Sequence, residues 1–292
     1  MDLKQLLYFV TIAEEGTISG AAKKLFLTQP PLSYQMKLLE QELHCTLFER
    51  GSRNVQLTDE GRLLYNRSKN ILDMAKITKE ELLAYSDSNR GTIRIGMVSS
   101  VASAYGASWI CDFSKCYPDI EFEIYEANTY SLLSKLEENL IHLAFLRSPY
   151  PETAFAAHVL ASEPLFAIGR REQFSDLDPV PTLSDLSSHP LIIYRRWQKL
   201  IDEAFDHAVG EHRYRCVCDD ARTTAALCEK GLGIGIVPQS ASSTLCTSEM
   251  ISRPIRDLDL TSNIELVYDK TSYLPSCSKL FIEYILNNPM SR

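Results

Sequence analysis

Residues 21–40 constrain the fold more than any other stretch of the chain, because they must form two short helices joined by a tight turn. Thr28 offers a cap for the second helix, and Pro30 and Pro31 fall in its first turn, where a missing backbone N–H costs little. Because proline disfavours helical geometry in the residue before it, the first helical residue stays open by a position or two. Small alanines in the first helix allow another helix to approach closely.

The second helix of this pair has two chemically different faces. Its apolar side, expected to face the core, carries Leu32, Leu38 and Leu39. The residues predicted to contact DNA from the cap and the opposite side are Thr28, Gln29, Pro30, Ser33, Tyr34 and Lys37. A Gln side chain can pair with an adenine edge, a Lys can reach guanine or phosphate, and a Tyr can touch a thymine methyl group. The alternative interpretation is a solvated amphipathic helix without a partner.

Two further elements complete a small N-terminal unit. Apolar residues recur at helical spacing from Leu3 to Ala13, and Gly16 is predicted to end that helix. Residues 47–57 contain two short apolar stretches around a polar, glycine-containing turn, which predicts a β-hairpin. Arg50 and Arg53 would then project on a wing, near a phosphate or the minor groove. These elements together predict a winged helix-turn-helix.

In order and spacing, the N-terminal motifs resemble the DNA-binding domain of LysR-type transcriptional regulators. The motifs are Ala-Ala at 21–22, Gln-Pro-x-Leu-Ser at 29–33, Leu-Glu at 39–40, Leu-Phe-x-Arg at 47–50 and Leu-Thr-x-x-Gly at 57–61. His44 departs from the family pattern, in which a glycine usually closes the recognition helix. A non-glycine residue in a left-handed cap costs about 1 kcal/mol, so the helix end is open to change here without a threat to the fold.

The resemblance also implies an architecture for the rest of the chain and for its assembly. The effector domain of the family is similar to a periplasmic binding protein, with two α/β lobes and a small molecule between them. Family members join as homodimers through a linker helix and pair further into homotetramers on pseudo-palindromic promoter DNA. RNA polymerase is then an expected partner, and effector binding would alter lobe closure and DNA bending.

A long helix is predicted after the wing, with Thr58 as its cap and two acidic residues in its first turn. Its apolar seam would be ~40 Å long at ~1.5 Å per residue. The seam consists of Gly61, Leu64, Ser68, Ile71, Ala75, Thr78, Leu82 and Tyr85. A two-helix dimer interface is the predicted use, and packing on the helix's own domain is the alternative. The polar stretch 86–91 predicts a hinge.

Charge is divided unevenly along the chain. The formal net charge is −8, yet residues 1–72 hold 9 basic and 8 acidic side chains, which leaves −9 for the remainder. Only the N-terminal unit can therefore approach a phosphate backbone without broad repulsion. The sequence shows neither a secretory leader nor a long uncharged apolar run, so we expect a cytoplasmic protein with no membrane partner.

The segment 92–147 predicts a β-α-β-α-β run and hence a parallel sheet, whose ligand crevice would lie at the carboxyl ends of the strands. The residues at those ends are Ser99, Ser100, Asn128, Thr129 and Arg147. Hydroxyls and backbone N–H groups beside a guanidinium predict an effector-binding anion receptor. The alternative is that Ser and Thr cap helices while Arg147 makes a surface ion pair.

A second lobe is predicted to contribute to the same cleft. The strand 191–194 is followed directly by Arg195, Arg196 and Trp197, and we expect Arg195 and Trp197 to bind an anionic or aromatic effector. Exposed arginines beside a packed Trp are the alternative. Further along, Asp219 or Asp220 is expected to cap a helix.

Three other patterns carry less weight. The Gly231–Gly235 stretch resembles a dinucleotide fingerprint but runs from helix into strand, which predicts a tight turn instead. Cys216 and Cys218 are a candidate redox pair, because some LysR-type regulators use cysteines as redox sensors. We expect the two side chains to point to opposite faces of a strand, however, which disfavours that role. The eight cysteines and six histidines have no spacing typical of a metal site, and no catalytic triad is recognisable, so we expect no cofactor and no enzyme activity.

The combined prediction is an N-terminal winged helix-turn-helix with a long linker helix, followed by an α/β effector region of two Rossmann-like, periplasmic-binding-protein-like lobes. The expected boundaries are 1–58 for the DNA-binding domain, 59–88 for the linker helix and hinge, 91–162 plus 265–292 for lobe I, and 163–264 for lobe II. The predicted function is sequence-specific binding of promoter DNA under control of a small anionic effector. The alternatives are an anion-binding protein whose N-terminal helices contact protein, or a redox-sensing regulator that uses Cys216 and Cys218.

Overall fold

A computed structural model describes residues 1–49, 54–84, 90–151, 154–210 and 212–288. The chain divides into two compact units, residues 1–83 and residues 84–292. Within the described residues, no helix combines the length and the apolar character needed to cross a membrane.

The first unit is helical. Its helices are α1 (Leu3–Glu15), α2 (Ile18–Lys24), α3 (Gln29–Leu43) and α4 (Asp59–Ala84). Gly16 ends α1 with φ 65°, as predicted, and Thr17 caps α2 by accepting a hydrogen bond from the Gly20 N–H. Helix α3 begins at Gln29, so the proline pair did not delay its start, although Thr28 makes no side-chain cap bond. The helix-turn-helix prediction is confirmed.

The core of the first unit lies between α1, α2 and α3. Leu32 and Leu39 are fully buried, as expected, but the third core position of α3 is Met36, at 3% exposure, and Leu38 is only half-buried. The prediction for Leu38 was therefore wrong by half a helical turn, because the buried stripe of α3 follows the spacing 32, 36, 39. His44 closes α3 in the left-handed region, at φ 52°, so this non-glycine residue adopts the cap conformation after all.

The hairpin prediction holds at the base of the wing. Phe48 pairs with Leu57 in an antiparallel bridge, and the Glu49 N–H donates to the Gln56 carbonyl over 2.9 Å. Arg50 and Arg53, predicted to contact DNA from the tip, lie outside the described residues. Their role stays a prediction.

Helix α4 explains the Leu-Thr-x-x-Gly motif. The Thr58 hydroxyl accepts from the Gly61 N–H over 3.0 Å and donates to the Thr46 carbonyl over 2.6 Å. A Cβ at Gly61 would stand 2.2 Å from the Leu47 carbonyl oxygen, so only glycine fits against the wing.

The predicted seam of α4 divides into two parts. Gly61 and Leu64 pack on the core of their own unit, which matches the alternative interpretation for that end. Ile71 and Leu82 are 40% and 71% exposed, so the later part keeps an apolar surface. Tyr85 and residues 86–89 of the predicted hinge lie outside the described residues.

The second unit alternates strands and helices. Its strands are β1 (Gly91–Met97), β2 (Ile120–Glu126), β3 (Leu143–Arg147), β4 (Ala156–Arg170), β5 (Leu191–Tyr194), β6 (Tyr214–Cys218), β7 (Ile234–Pro238), β8 (Met250–Pro254) and β9 (Thr261–Tyr268). Its α-helices are α5 (Ser99–Val101), α6 (Ala107–Cys116), α7 (Thr129–Glu137), α8 (Leu183–Ser187), α9 (Gln198–Ala208), α10 (Ala221–Glu229), α11 (Gln239–Leu245) and α12 (Ser276–Asn287). A π-helical turn, Ala102–Gly106, joins α5 to α6.

The strand order explains how two lobes share one sheet. The order is β2-β1-β3-β9-β4-β7-β5-β6, with β8 paired to β4. The strands β2, β1 and β3 are mutually parallel, as are β6, β5 and β7, and the antiparallel pair β4 and β9 joins the two groups. Residues 156–164 of β4 pair with β9, whereas residues 165–168 pair with β7. The predicted α/β fold, with two lobes that each contain parallel strands, is confirmed.

Each lobe has its own apolar core, one around Phe113, Phe145 and Phe281 and the other around Trp197, Phe205 and Ile236. The Gly231–Gly235 stretch is the turn from α10 to β7, as predicted, with Gly231 at φ 80°. A Cβ at Gly233 would stand 2.2 Å from the Pro190 carbonyl oxygen. This turn is therefore held closed by backbone packing.

Candidate DNA interface and effector cleft

The outer face of α3 presents the residues predicted to contact DNA. Thr28, Gln29, Pro30, Tyr34 and Lys37 are exposed, and Ser33 is half-exposed. Helical spacing places Gln29, Ser33 and Lys37 in one row, because residues four apart lie one above the other. This row carries an amide, a hydroxyl and an ammonium group, which suit base edges and phosphates.

Neighbouring helices hold α3 in position. The Gln5 side-chain amide on α1 donates to the Gln35 amide oxygen over 3.2 Å, and the Ser19 hydroxyl on α2 donates to the Gln29 amide oxygen over 3.1 Å. The Glu40 carboxylate accepts from the Leu47 N–H over 2.8 Å and thereby ties the end of α3 to the wing. The Leu-Glu motif therefore has a structural role.

Sequence reasoning missed Phe26, which lies in the turn just before α3. Its ring is 96% exposed, and its φ of 57° is in the left-handed region. Within the described part of the first unit, no packing contact offsets this strained backbone position. The available signal was an aromatic residue between Leu25 and Leu27 in the turn that precedes α3.

In the second unit, a cavity of about 400 Å³ opens between the two lobes. From lobe I it is lined by Asn128, Thr129, Tyr130, Pro149 and Tyr150, and from lobe II by Tyr194, Arg195, Arg196 and Asp219. These residues follow the carboxyl ends of β2, β3, β5 and β6. This is where an α/β sheet is expected to bind a ligand.

The prediction for Arg147 needs a correction. Its side chain is fully buried, and the guanidinium forms a 3.1 Å ion pair with Glu163. The remaining N–H groups donate to the hydroxyls of Ser100, Ser240 and Ser262. Because every face of this cation already has a partner, Arg147 is neither an open anion receptor nor a surface ion pair.

The network around Arg147 joins the two lobes. Burial lowers the pKa of the guanidinium, although the adjacent Glu163 carboxylate acts to raise it. Burial and a 2.7 Å hydrogen bond to Glu163 raise the pKa of Tyr105 to about 12. The Glu163 carboxylate also accepts from the Ser240 hydroxyl on α11, over 2.7 Å. The charges of Arg147 and Glu163 balance, so the cluster is a hydrogen-bonded connection between the lobes with no net charge.

The other predicted residues of lobe I fall into two groups, of which only one lines the cavity. Thr129 is almost fully buried at the start of α7 and lines the cavity, while the Asn128 side chain caps α7 by accepting from the Ser131 N–H. Ser99 and Ser100 are buried and do not line the cavity. Burial acts to raise the pKa of the Asp220 carboxyl, but hydrogen bonds from Arg222 and Ser99 outweigh it and hold that pKa below its usual range.

In lobe II, the two predicted residues fall in different places. Arg195 lines the cavity and pairs with Asp219 over 2.6 Å. Trp197 is fully buried in the lobe II core, where its ring packs edge-on against Tyr194. Trp197 is therefore a core residue, and its prediction as an effector contact was wrong because the short turn after β5 points it inward. Asp220, rather than Asp219, caps α10.

Arg196, which the sequence analysis named beside Arg195 but did not select as an effector contact, spans the cleft. It donates to the Arg147 carbonyl over 2.6 Å and to the Thr129 hydroxyl, so a lobe II side chain reaches lobe I. Its guanidinium also lies 5.7 Å from the centre of the Tyr194 ring. The Nε atom is buried and has no hydrogen-bond partner among the residues that the structure describes.

The expectation for the two cysteines of β6 was also wrong. Residues two apart in a strand point to the same face, and the sulfur atoms of Cys216 and Cys218 are 3.7 Å apart. Burial, together with the neighbouring Cys216, raises the pKa of the Cys218 thiol. A thiol that senses peroxide needs a lowered pKa, so this environment argues against that chemistry.

Comparison with known families agrees with both units. Residues 3–62 match the model for a bacterial regulatory helix-turn-helix protein of the lysR family, and residues 86–289 match the LysR substrate binding domain. The chain is 29% identical over 290 residues to the HTH-type transcriptional regulator BsdA of Bacillus subtilis (strain 168), covering 97% of this chain and 99% of BsdA. It is 31% identical over 255 residues to the regulator BenM of Acinetobacter baylyi (strain ATCC 33305 / BD413 / ADP1), covering 83% of this chain and 82% of BenM.

Solved structures show the same fold. Full-length CbnR complexed with its target DNA superposes with a TM-score of 0.84 at 24% identity, over 98% of this chain and 99% of that one. Full-length BenM gives a TM-score of 0.57 at 26% identity, over 100% and 99%. From its helix-turn-helix, its two-lobed effector domain and both family matches, the chain belongs to the LysR family, whose members are DNA-binding transcriptional regulators and not enzymes.

Proposed function

We propose that this regulator responds to a small monoanion that binds in the interlobe cavity on Arg196. The observation that carries the proposal is a difference among the arginines in and beside the cleft. Arg147 pairs with Glu163, Arg195 with Asp219, and Arg222 with Asp220 and Glu126. Among the described residues, Arg196 has no carboxylate within ion-pair distance, and its partners are a carbonyl and a hydroxyl.

Electrostatics explains why this matters. A cation that is partly withdrawn from water is stabilised by an anion, and a buried N–H donor without an acceptor costs about 1–3 kcal/mol. A carboxylate placed in the cavity beside the guanidinium would supply the missing counterion, since guanidinium binds carboxylates through two parallel hydrogen bonds. Thr129 and the N-terminal end of α7 would contribute further donors.

The cavity also favours an effector with an apolar or aromatic body. Its volume of about 400 Å³ suits a small molecule, and Tyr130, Tyr150 and Tyr194 supply three rings to the lining. The Tyr150 hydroxyl is already engaged with Glu265, and burial raises the pKa of that phenol, so the ring offers its apolar surface. Asn128 and Arg195 at the rim are proposed secondary contacts, while Ser99 would act only through Asp220.

A matched pair of variants tests the proposal. Thermal unfolding of the full chain would be followed with a panel of small monocarboxylates that includes benzoate, and with benzamide as a neutral isostere. We expect a carboxylate-dependent rise in Tm that Arg196→Met abolishes and Arg195→Met, which removes only a secondary contact, reduces. Retention of the rise in Arg196→Met would refute the role of Arg196.

For DNA, we propose that Thr28, Gln29, Pro30, Ser33, Tyr34 and Lys37 on α3, with Arg50 and Arg53 on the wing, contact promoter half-sites. Genome-wide binding of the purified protein to fragmented host DNA at two salt concentrations should give paired half-sites that weaken with salt. Lys37→Ala should lower the salt slope by about 1, whereas Lys115→Ala on α6 of the second unit should leave it unchanged. Equal salt slopes for both variants would favour the rival interpretation, in which the N-terminal helices contact protein.

We further propose that the chain acts in the cytoplasm as a homodimer joined through α4 that pairs into a homotetramer and communicates with RNA polymerase. Residues 1–58, 59–88, 91–162 with 265–292, and 163–264 would be its functional segments. The exposed apolar side chains of the later part of α4 support the dimer. An effector-dependent change in footprint length would support coupling between lobe closure and DNA bending, and an unchanged footprint would refute it.

A further inference from the structure

The backbone of β6 places two thiols of lobe II side by side. Cys216 and Cys218 lie two residues apart on β6, and their sulfur atoms are separated by 3.7 Å. Cys218 is 6% exposed and packs in the lobe II core beside α10, whereas Cys216 is half-buried and leaves one side of the pair open to solvent. The strand fixes this arrangement before any ligand arrives.

The separation of the sulfur atoms matches the bite of a thiophilic centre. Two sulfurs bonded to one central atom at ~2.3 Å each stand no more than ~4.6 Å apart, so the observed separation of 3.7 Å allows both to bind a single atom. A chelating pair that is preorganised loses little conformational freedom on binding, which favours a ligand that needs two sulfurs over one that needs a single thiol. Neither sulfur carries a disulfide, so both are available.

We propose that Cys216 and Cys218 form a dithiol site for trivalent arsenic or an equally thiophilic element that accepts two sulfur ligands. In the reaction with an organoarsenic oxide, two S–H bonds and the As–O bond break and two As–S bonds form. The oxygen leaves as water with the two thiol protons, and no oxidant or reductant takes part.

The position of the pair connects it to the effector cleft. Strand β6 ends at Cys218, and the next residue, Asp219, lines the cavity and holds Arg195. Asp220 then caps α10 and pairs with Arg222, which reaches Glu126 of lobe I over 3.1 Å. A ligand that bridges the two sulfurs would therefore act next to the cavity lining at Asp219 and next to the Arg222–Glu126 contact between the lobes. The dithiol is a second chemical input, separate from Arg196.

The test uses the folded, full-length protein with phenylarsine oxide. After incubation, excess 2-mercaptoethanol removes adducts on single thiols, and intact mass spectrometry counts what remains. We expect one phenylarsenic group per chain, which 2,3-dimercaptopropanol then removes. Cys216→Ser and Cys218→Ser should each lower the apparent affinity roughly 100-fold, as expected when one of two linked ligands is lost. Cys111→Ser, which removes an exposed thiol on α6, should change nothing.

A mapping experiment avoids reliance on the variants. The loaded protein is alkylated with iodoacetamide, unfolded and digested, and each cysteine peptide is weighed. Protection of Cys216 and Cys218 with modification of Cys111 would support the site. The absence of a monothiol-resistant adduct, its retention in Cys216→Ser, or protection of a different pair would each overturn the proposal. None of these outcomes depends on DNA binding or on the cleft effector.

Discussion

The DNA-facing surface and the effector cleft are built in opposite ways. The polar row of α3 comes from residues 28–37 of one helix, whereas the cleft draws its lining from four strand ends between Asn128 and Asp219. A contiguous surface is decided by helical spacing and a cap. A cleft surface is decided by which charges meet across the fold, and those partners are not neighbours in sequence. Arg147 looks unpaired in the sequence but has Glu163 as its counterion in the fold, whereas Arg196 has no carboxylate partner among the described residues.

The largest expected effect comes from breaking the charge balance at the lobe junction. Glu163→Ala would leave the fully buried Arg147 without its counterion, which should lower the free energy of unfolding by about 3–5 kcal/mol. Asp219→Ala, which removes the partner of the exposed Arg195, should cost less than about 1 kcal/mol. Urea unfolding of both variants measures the contrast, and similar losses would contradict it.

The N-terminal unit should respond most strongly to a backbone clash. Gly61→Ala places a methyl group 2.2 Å from the Leu47 carbonyl oxygen and should cost about 1–3 kcal/mol as the wing moves off α4. A methyl group at position 16 would meet open space, and only the left-handed φ of 65° disfavours it. Gly16→Ala should therefore lower the free energy of unfolding by about 1 kcal/mol. Urea unfolding ranks the two, and a reversed order would mean that the wing yields freely.

Alkaline pH should weaken the lobe junction through Tyr105. Its pKa is raised to about 12, mainly by burial and then by Glu163, above the value of about 10 for an unfolded chain. The stabilisation is therefore complete below pH ~10 and is lost as pH rises toward 12. Tyr105→Phe should lower stability by about 1 kcal/mol at neutral pH, and its difference from wild type should shrink over that alkaline range. A constant difference from pH 8 to 12 would rule out this role.

The smallest effect is expected at Phe26. Phe26→Asn should raise the free energy of unfolding by ~0.5–1 kcal/mol, because Asn tolerates the left-handed conformation and the exposed ring packs on nothing. If the same variant binds DNA more weakly, the ring belongs to the DNA-facing surface. Leu27→Ala, at the 37% exposed neighbouring position, is the control.

How far the sequence could predict the molecule follows from the same comparison. The helix-turn-helix, the Gly16 stop and the parallel strands around 91–147 follow from local spacing and helix-ending signals, and the structure agrees. Arg147 was misjudged because its counterion lies sixteen residues later at the lobe crossing, in a segment without a recognisable motif. Arg195 and Arg196 are adjacent and chemically equal, so only the partner of each guanidinium separates them. The common orientation of Cys216 and Cys218 could have been predicted, because residues two apart in a strand point to the same face.

The crossing strand β4 has a mechanical consequence. It runs through both lobes, and β9 lies beside it over residues 156–164, with a shift of register between Val159 and Ala161. Lobes joined by loops can open like a jaw, but lobes joined through a continuous two-stranded ribbon must turn by torsion, with each peptide unit taking a small share. An effector would then wind or unwind this ribbon by a few degrees instead of swinging a hinge. In such a stiff joint, the small rotation of one lobe against the other is proportional to the force that a molecule in the cleft applies.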